Sequence, residues 1–375
     1  MPFEVKTTMD QRRTFVMIAA QEGANMRALC RRFGISPDTG YRLRRRHQAD
    51  AEDALADRSR RPLTSPRQTA PAVAAQVLAV RDAHPTWGSR KIHAWLRDQA
   101  GLVAPAPSTI TGILHREDRI DPTTTRPQAY LRFERAAPND LWQMDFKGHH
   151  AMRQGRVHPL SVLDDHSRFA LSLVACPHEQ GDLVQQHLIT CFQQYGLPEA
   201  ILADNGGPWG ASHPGSLSRL EAWLIRLGIR VLHGRPYHPQ TQGKVERWHR
   251  TLKTDVFQFG RFPDLAAAQV ALDAFRLTYN TERPHEALGL AVPASRYQPS
   301  TRPYPATLPP IVYSAECTVC MVHAAGWIWF AGRQLFIGEG LRGLPVGIRP
   351  TTVDGVFGVR FCDRELNVLD LRARP

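Results

Sequence analysis

The chain has 375 residues, a formal net charge of +12 and a sequence pI near 9.9. This length exceeds what one hydrophobic core serves well, so several domains are expected, and no stretch approaches the roughly 18 uncharged apolar residues of a membrane span. The positive charge favours a polyanionic partner, because each Lys or Arg that meets a phosphate releases a counterion. Nucleic acid is the leading candidate. A basic surface kept for solubility and a membrane lipid surface are the alternatives.

The first 50 residues are typical of a helix-turn-helix DNA-binding domain, with predicted helices at Asp10–Glu22, Met26–Phe33 and Ser36–His47. Gly34 can adopt a left-handed turn, and Ser36 can cap the third helix. That helix carries a basic run: Arg42, Arg44, Arg45 and Arg46. We predict that these residues contact DNA phosphates and guanine edges, and the alternative is an ordinary solvated basic face.

A basic linker is predicted over residues 51–70, followed by a second helix-turn-helix-like domain over 71–120. Its helices are expected at Pro71–Ala83, at Ser89–Gln99 and from Ser108 onward. Arg90 and Lys91 either contact DNA phosphates or face solvent. A linker rich in Thr, Pro and Arg is expected over 121–138.

Residues 139–292 have the pattern of an α/β domain, a mixed sheet with helices on both faces. Three β-like runs come first, and helices then alternate with short strands. The predicted strands are Leu141–Phe146, Val157–Leu163, Phe169–Ala175, Ala200–Leu202 and Ile229–Leu232. The predicted helices are Gly181–Tyr195, Leu217–Leu227, Thr241–Phe257 and Leu265–Tyr279.

A Pro-rich linker at 293–310 is expected to lead into a small all-β domain at 311–375. Short strands are predicted at Ile311–Tyr313, Cys317–Val322, Trp327–Phe330, Gln334–Ile337, Val346–Pro350, Gly355–Phe361 and Val368–Leu371. Gly-containing turns and alternating hydrophobicity favour a compact barrel or sandwich.

Cysteine usage predicts a reduced, cytoplasmic setting, because six cysteines are scattered along the chain and no apolar signal segment follows its charged start. Cys317 and Cys320 have the spacing of half a zinc site. A second CxxC or HxxxH pair is missing at the usual distance, although His323 and Cys362 are available. We therefore favour free thiols over a zinc site.

Three acidic residues stand in distinctive local sequences. Asp145 follows Leu-Trp-Gln-Met, Asp204 lies in Ile-Leu-Ala-Asp-Asn-Gly, and Glu246 lies in Gln-Gly-Lys-Val-Glu-Arg. Two follow β-like runs and the third falls early in a helix, so three elements can bring them to one point. Clustered carboxylates repel one another without cations, and Mg²⁺ prefers such ligands. We therefore predict a catalytic triad that holds two Mg²⁺ ions, or Mn²⁺, against the alternative of three ordinary surface acids.

The predicted helix of Glu246 is rich in basic residues. Four of them are predicted to contact DNA: Lys244, Arg247, Arg250 and Lys253. His249 and Asn205 are predicted to support the triad without binding metal. Asp164 and Asp165 also follow a β-like run, and we interpret them as turn or supporting groups.

Four stretches resemble the integrase-core transposases of bacterial insertion sequences: Asp140–Lys147, Leu163–Arg168, Leu202–Gly206 and Pro236–Leu252. The resemblance covers nearly the whole chain. It implies a ribonuclease-H-like core shared with retroviral integrases, a DDE triad of Asp145, Asp204 and Glu246, Mg²⁺ or Mn²⁺ as cofactor, and N-terminal helices that bind the element's terminal inverted repeats. The interval from Asp204 to Glu246 is several residues longer than is common, which we assign to the loop at 209–218. The His-His-Cys-Cys zinc module of retroviral integrases is not seen in the sequence.

The sequence therefore predicts a bacterial, nucleoid-associated transposase that cleaves double-stranded DNA to free a 3′-hydroxyl and transfers that hydroxyl to target DNA. Joining two ends implies a homodimer or a larger assembly. The alternatives are a DNA-binding regulator with an inactive core and a nuclease that cuts without joining. Three intact acids disfavour the regulator, whereas only a joining assay separates the nuclease.

Overall fold

The computed structural model describes residues 7–49, 55–57, 68–120, 134–204, 206–207, 209–210, 216–234 and 243–372. The chain divides into two units, with the boundary between Gln68 and Thr69. Among the described helices, none is both long and apolar enough to cross a membrane.

The first unit contains a helix-turn-helix. Its helices are α1 (Thr8–Ala19), α2 (Met26–Arg32) and α3 (Pro37–Ala49). Gly34 makes the turn with φ of +64°, and the hydroxyl of Ser36 accepts a hydrogen bond from the backbone N–H of Thr39 at 3.2 Å, which caps α3. Phe15 and Leu43 are buried between the helices. The predicted fold of this segment is confirmed.

The second unit begins with three further helices around a small apolar core. They are α4 (Pro71–Ala83), α5 (Ser89–Asp98) and α6 (Pro107–Arg116). Val77, Trp87, Ile92 and Ile110, from the three helices and the loop between α4 and α5, are buried between them. Pro71 and Pro107 occupy first-turn positions, where a missing N–H costs nothing.

A six-stranded mixed sheet forms the centre of the second unit. Its strands are β1 (Trp142–Phe146), β2 (His150–Ala151), β3 (Arg156–Asp164), β4 (Ala170–Cys176), β5 (Ala200–Ala203) and β6 (Arg230–His233). The order is β2-β3-β1-β5-β6, with β4 on β3. The pairs β1–β3 and β3–β4 are antiparallel, whereas β1–β5 and β5–β6 are parallel.

Helices cover both faces of this sheet, as predicted. They are α7 (Gly181–Tyr195), α8 (Arg219–Arg226), α9 (Gly243–Asp255) and α10 (Leu265–Thr281). Met144 of β1 packs with α7 and α8 on one face. Leu163 and Leu173 pack with α9 and α10 on the other. This alternation follows from the two-residue period of strand side chains.

The C-terminal region is all-β. Its strands are β7 (Thr318–Met321), β8 (Trp327–Phe330), β9 (Arg333–Phe336), β10 (Pro345–Pro350), β11 (Val356–Phe361) and β12 (Arg364–Asp370). A four-stranded antiparallel sheet, β12-β11-β10-β7, shares one core with the hairpin β8–β9. Leu217 and Ala222, from the segment that enters α8 and from α8 itself, are buried in the same core, so this region packs directly on the central domain.

The predicted strand at Ile311–Tyr313 is wrong, because these residues lie outside any β-ladder. Tyr313 is instead a packing residue: its hydroxyl donates to the carbonyl of Pro345 at 2.9 Å, and its ring covers Gly347. The expected linker at 293–310 lies along the central domain. There Arg302 donates to the carbonyls of Pro198 and Leu227, and Tyr297 packs on the core.

Candidate active site

Asp145 and Asp204 stand at the carboxyl ends of neighbouring parallel strands. Trp142 pairs with Ile201 and Gln143 pairs with Leu202. The same register, continued by two residues, sets Asp145 opposite Asp204. Burial, and after it the negative charge of Asp204, raises the pKa of Asp145 to about 7. The fold therefore crowds two carboxylates at one edge of the sheet.

The position of Asp204 is supported through its backbone. His233 donates from Nδ1 to the carbonyl oxygen of Asp204 at 2.9 Å and from Nε2 to the carboxylate of Glu221 at 2.8 Å. Each ring nitrogen faces an oxygen acceptor, and the hydrogen bond to Glu221 is the main cause of the raised pKa of His233. Glu221 also accepts from the backbone N–H of Ser218 and so caps α8. A chain of hydrogen bonds thus runs from α8 to the end of β5.

His249 links α9 to the same sheet edge. Its Nδ1 lies 3.6 Å from the carboxylate of Asp145, and its Nε2 lies 3.1 Å from the hydroxyl of Ser161 on β3. Trp248 donates to the same hydroxyl at 3.0 Å. Burial, followed by the charge of Lys147, lowers the pKa of His249 to about 3, so the ring is neutral at physiological pH.

Glu246 precedes His249 by one helical turn, so the two share one face of α9. The side chain of Glu246 is exposed. Across the described ranges, no three His, Cys, Asp or Glu side chains lie close enough together to hold a metal ion. The structure thus brings Asp145 and Asp204 together, and among the described residues no hydrogen bond or ion pair joins Glu246 to either of them. Its place in the triad stays a prediction.

Asp164 and Asp165 are fully buried and well supplied with donors. Asp164 accepts from the backbone of Asn139 at 2.8 Å and from the N–H and hydroxyl of Ser167 at 2.7 and 2.6 Å. Asp165 accepts from Lys244, Gln143 and the backbone of Arg135. Both make local turn or bridging contacts, in line with their interpretation as turn and supporting groups.

The residues predicted to contact DNA differ in their exposure. The exposed ones are Arg42, Arg45, Arg90, Arg247, Arg250 and Lys253. Arg44 is partly buried, and Arg46 donates to the carbonyl of Ala56 at 2.8 Å. Burial, and next the charge of Arg283, lowers the pKa of Lys91 to about 8. Lys244 is partly buried against Asp165.

Sequence reasoning overlooked several residues that support the site. Ser161 and His233 have no local motif to mark them, and their partners lie 12 or more residues away in the chain. Glu221 does belong to a local motif, the Ser218-x-x-Glu221 capping box, but that motif predicts only a helix start and not the link to His233. The predicted helper Asn205 lies outside the described residues. All six cysteines are free thiols.

Known families match most of the chain in separate segments. The description "Integrase core domain" applies to residues 135–239 and 227–293. "Helix-turn-helix domain" matches 12–62, and "Homeodomain-like domain" matches 39–114. "IS481 family transposase, C-terminal domain" matches 317–375.

Relatives include the insertion element IS407 uncharacterized 31.7 kDa protein of Burkholderia multivorans, 26% identical over 229 residues, which are 59% of this chain and 79% of that protein. The Gag-Pro-Pol polyprotein of Mason-Pfizer monkey virus is 36% identical over 121 residues, 32% of this chain and 6% of the polyprotein. A solved structure, the simian T-cell lymphotropic virus intasome in complex with PP2A regulatory subunit B56 gamma, aligns with a TM-score of 0.39 at 18% identity over 78% of this chain and 99% of that one.

The matches place integrase-core segments in the central domain, and helix-turn-helix and homeodomain-like segments on its N-terminal side. The predicted resemblance to the integrase-core transposases of bacterial insertion sequences is confirmed by the IS481 family match and the IS407 relative.

Proposed function

We propose that the protein is a DDE transposase, which binds the terminal inverted repeats of an insertion sequence, frees a 3′-hydroxyl at the element end and joins it to target DNA. The observation that carries this proposal is the pair of carboxylates, Asp145 and Asp204, on neighbouring parallel strands of an integrase core. The helix-turn-helix segments supply DNA binding.

The carboxylates of Asp145 and Asp204, at the carboxyl ends of β1 and β5, fit a divalent cation. Two carboxylates crowd each other there, and Asp145 has a raised pKa because burial and Asp204 both oppose its charge. Hard oxygen ligands of this kind suit Mg²⁺ or Mn²⁺. Asp145 and Asp204 would hold the metal, with Glu246 as the third carboxylate and two ions per site. When bound, such ions make a water or 3′-hydroxyl more nucleophilic and stabilise the leaving oxygen.

The chain's own cations bind and orient the DNA. Arg250 lies one turn after Glu246 on the same face of α9, and Arg247 and Lys253 are also exposed on this helix. Their charges favour the phosphates on either side of the reacting bond. Two element ends must be held together during joining, so we infer a dimer or larger assembly on DNA.

A joining assay tests the proposal. A labelled terminal-repeat oligonucleotide and a plasmid are incubated with Mg²⁺ and the native protein, Asp204→Asn, or Asp273→Asn. Asp273 is an exposed aspartate of α10 and serves as the matched control. We expect joining by the native protein and by the Asp273 variant, and none by the Asp204 variant. Joining that persists in Asp204→Asn would overturn the assignment. Cleavage without joining would indicate a nuclease, and binding alone would indicate a regulator.

A further inference from the structure

A buried carboxylate connects β1 and α9, two of the three elements that carry the candidate metal ligands. Asp165 has no exposed surface. One of its oxygens accepts from the side chains of Gln143, at 2.7 Å, and Lys244, and the other accepts from the backbone N–H of Arg135 at 2.8 Å. The backbone N–H of Asp165 also donates to the carbonyl of Leu141 at 2.9 Å, which ties the carboxylate to the start of β1.

The partners of Asp165 lie close in sequence to the candidate ligands. Gln143 precedes Asp145 by two residues on β1, and Lys244 precedes Glu246 by two residues in the first turn of α9. A second contact between α9 and the sheet lies just beyond Glu246, where His249 meets the hydroxyl of Ser161. Glu246 therefore lies between two points at which α9 is held against the sheet.

We propose that Asp165 and Lys244 are positioning residues, which hold the first turn of α9 so that Glu246 can reach Asp145 and Asp204. The inference rests on the proposed function. It gives Lys244 a different role from its basic neighbours on α9. Its side chain is 17% exposed and paired with a buried carboxylate, whereas the side chains of Arg250 and Lys253 are exposed to solvent.

The ion pair between Asp165 and Lys244 should keep the first turn of α9 closed. An ion pair inside a protein is costly to break, because the remaining charge is left buried without its partner. Helix ends open more easily than helix centres, so a lost anchor at Lys244 is relieved by opening of the first turn. That turn contains Glu246.

The test compares Lys244→Met with Lys244→Arg, Asp165→Asn and the control Lys253→Met. DNA affinity is measured over a salt series, and the joining rate is measured at saturating DNA. We expect Lys244→Met and Asp165→Asn to lower kcat by about 10- to 100-fold, the usual cost of losing a group that orients a metal ligand. The salt dependence of DNA binding should not change. The double variant, Asp165→Asn with Lys244→Met, should join DNA no more slowly than either single variant. Lys244→Arg should keep most of the native joining rate.

The control should show the opposite pattern. Lys253→Met should reduce the slope of log affinity against log salt by about one, with a smaller effect on kcat, because a phosphate contact is lost. A Lys244→Met variant that behaves in this way would overturn the proposal.

Hydrogen exchange provides a readout that needs neither DNA nor joining activity. Amides in peptides covering residues 243–252 should exchange much faster in Asp165→Asn and Lys244→Met than in the native protein. In Lys244→Arg they should exchange only moderately faster. Unchanged exchange in all three variants would overturn the proposal, whatever the joining assay shows. If the native protein does not join DNA but exchange responds as expected, the proposed function fails and the anchoring of α9 stands.

Discussion

Two pairs of aspartates in the central domain have opposite surroundings. Asp164 and Asp165 are fully buried, and each accepts hydrogen bonds from three donors. Asp145 and Asp204 are only partly buried; among the described residues, Asp204 accepts from the backbone of Gly206 at 2.8 Å, and Asp145 faces His249 at 3.6 Å. Burial therefore does not distinguish the candidate metal ligands, Asp145 and Asp204, from the other pair. The supply of donors does, because a carboxylate that the fold has already satisfied has little left to offer a ligand.

The largest expected effect is on activity at the poorly supplied pair. Asp145→Asn should lower the joining rate on the order of 10³-fold, equivalent to about 4 kcal/mol of transition-state stabilisation. Without metal, its free energy of unfolding at pH 8 should equal or exceed that of the native protein, because a repulsive charge is removed. Urea unfolding and the joining assay measure both. An Asp145→Asn variant that is clearly less stable than the native protein without metal would show that the charge of Asp145 is not a source of repulsion there.

At the pair with three donors each, Asp164 and Asp165, substitution should lower the free energy of unfolding. Asp164→Asn places an NH₂ group among three donors, so we expect the free energy of unfolding to fall by about 1–3 kcal/mol. Its joining rate per folded molecule should stay close to the native rate. Urea unfolding at pH 7.5 measures the loss, with the exposed Asp273→Asn expected to stay within about 0.5 kcal/mol of the native protein. Equal stability of the two variants would contradict the structural role of Asp164.

A smaller effect is expected at the hydrogen-bond chain behind Asp204. Glu221→Gln has one acceptor oxygen where the carboxylate serves both Ser218 and His233. We expect a loss of about 1 kcal/mol in the free energy of unfolding, since one charge-assisted hydrogen bond is weakened. The joining rate should also fall, because His233 holds the carbonyl of Asp204. Unchanged stability and rate would show that Asp204 needs no such support.

The last prediction concerns pH, at a histidine surrounded by positive charges rather than negative ones. Burial, followed by the charges of Arg168, Lys91, Arg283 and Arg247, lowers the pKa of His285 to about 3. Below the ordinary histidine pKa, about 6.5, the unfolded chain takes up a proton that the folded chain does not. Stability from this group is therefore present above about pH 6.5 and is lost as pH falls toward 3, by at most about 1.4 kcal/mol per pH unit.

Urea unfolding of the native protein and His285→Asn at pH 7.5, 6.5 and 5.5 tests this sign, at pH values spaced by about one unit around the ordinary histidine pKa. We expect the stability advantage of the native protein over the variant to shrink as the pH falls. An advantage that is constant across the three pH values would show that His285 titrates normally.

Local signals predicted much of the fold. The bounds of Pro71–Ala83 and Gly181–Tyr195 agree with the observed helices, because helix periodicity and end signals lie within one segment. Strands were less predictable, since pairing partners are distant. The short strand His150–Ala151 was missed. The last strand begins at Arg364 rather than Val368, because Leu366 is the single apolar residue among its first four.

The candidate site was predicted in part for a similar reason. Asp145 lies near the end of one recognisable strand and Asp204 directly follows another, and the parallel pairing of β1 with β5 makes them neighbours. Their supports depend on tertiary contacts. Lys244 and Asp165 are 79 residues apart in the chain, and no local pattern relates a lysine in the first turn of a helix to an aspartate after a distant strand.

Metal binding in the absence of DNA tests the central claim most directly. Isothermal titration with Mn²⁺ would compare the native protein, Asp145→Asn, Asp204→Asn and the control Asp273→Asn at pH 7.5. The account predicts saturable binding by the native protein and the control, and binding at least about tenfold weaker in the other two variants. Mn²⁺ binding that is equally strong in all four proteins would show that the crowded carboxylates of β1 and β5 are not the metal site.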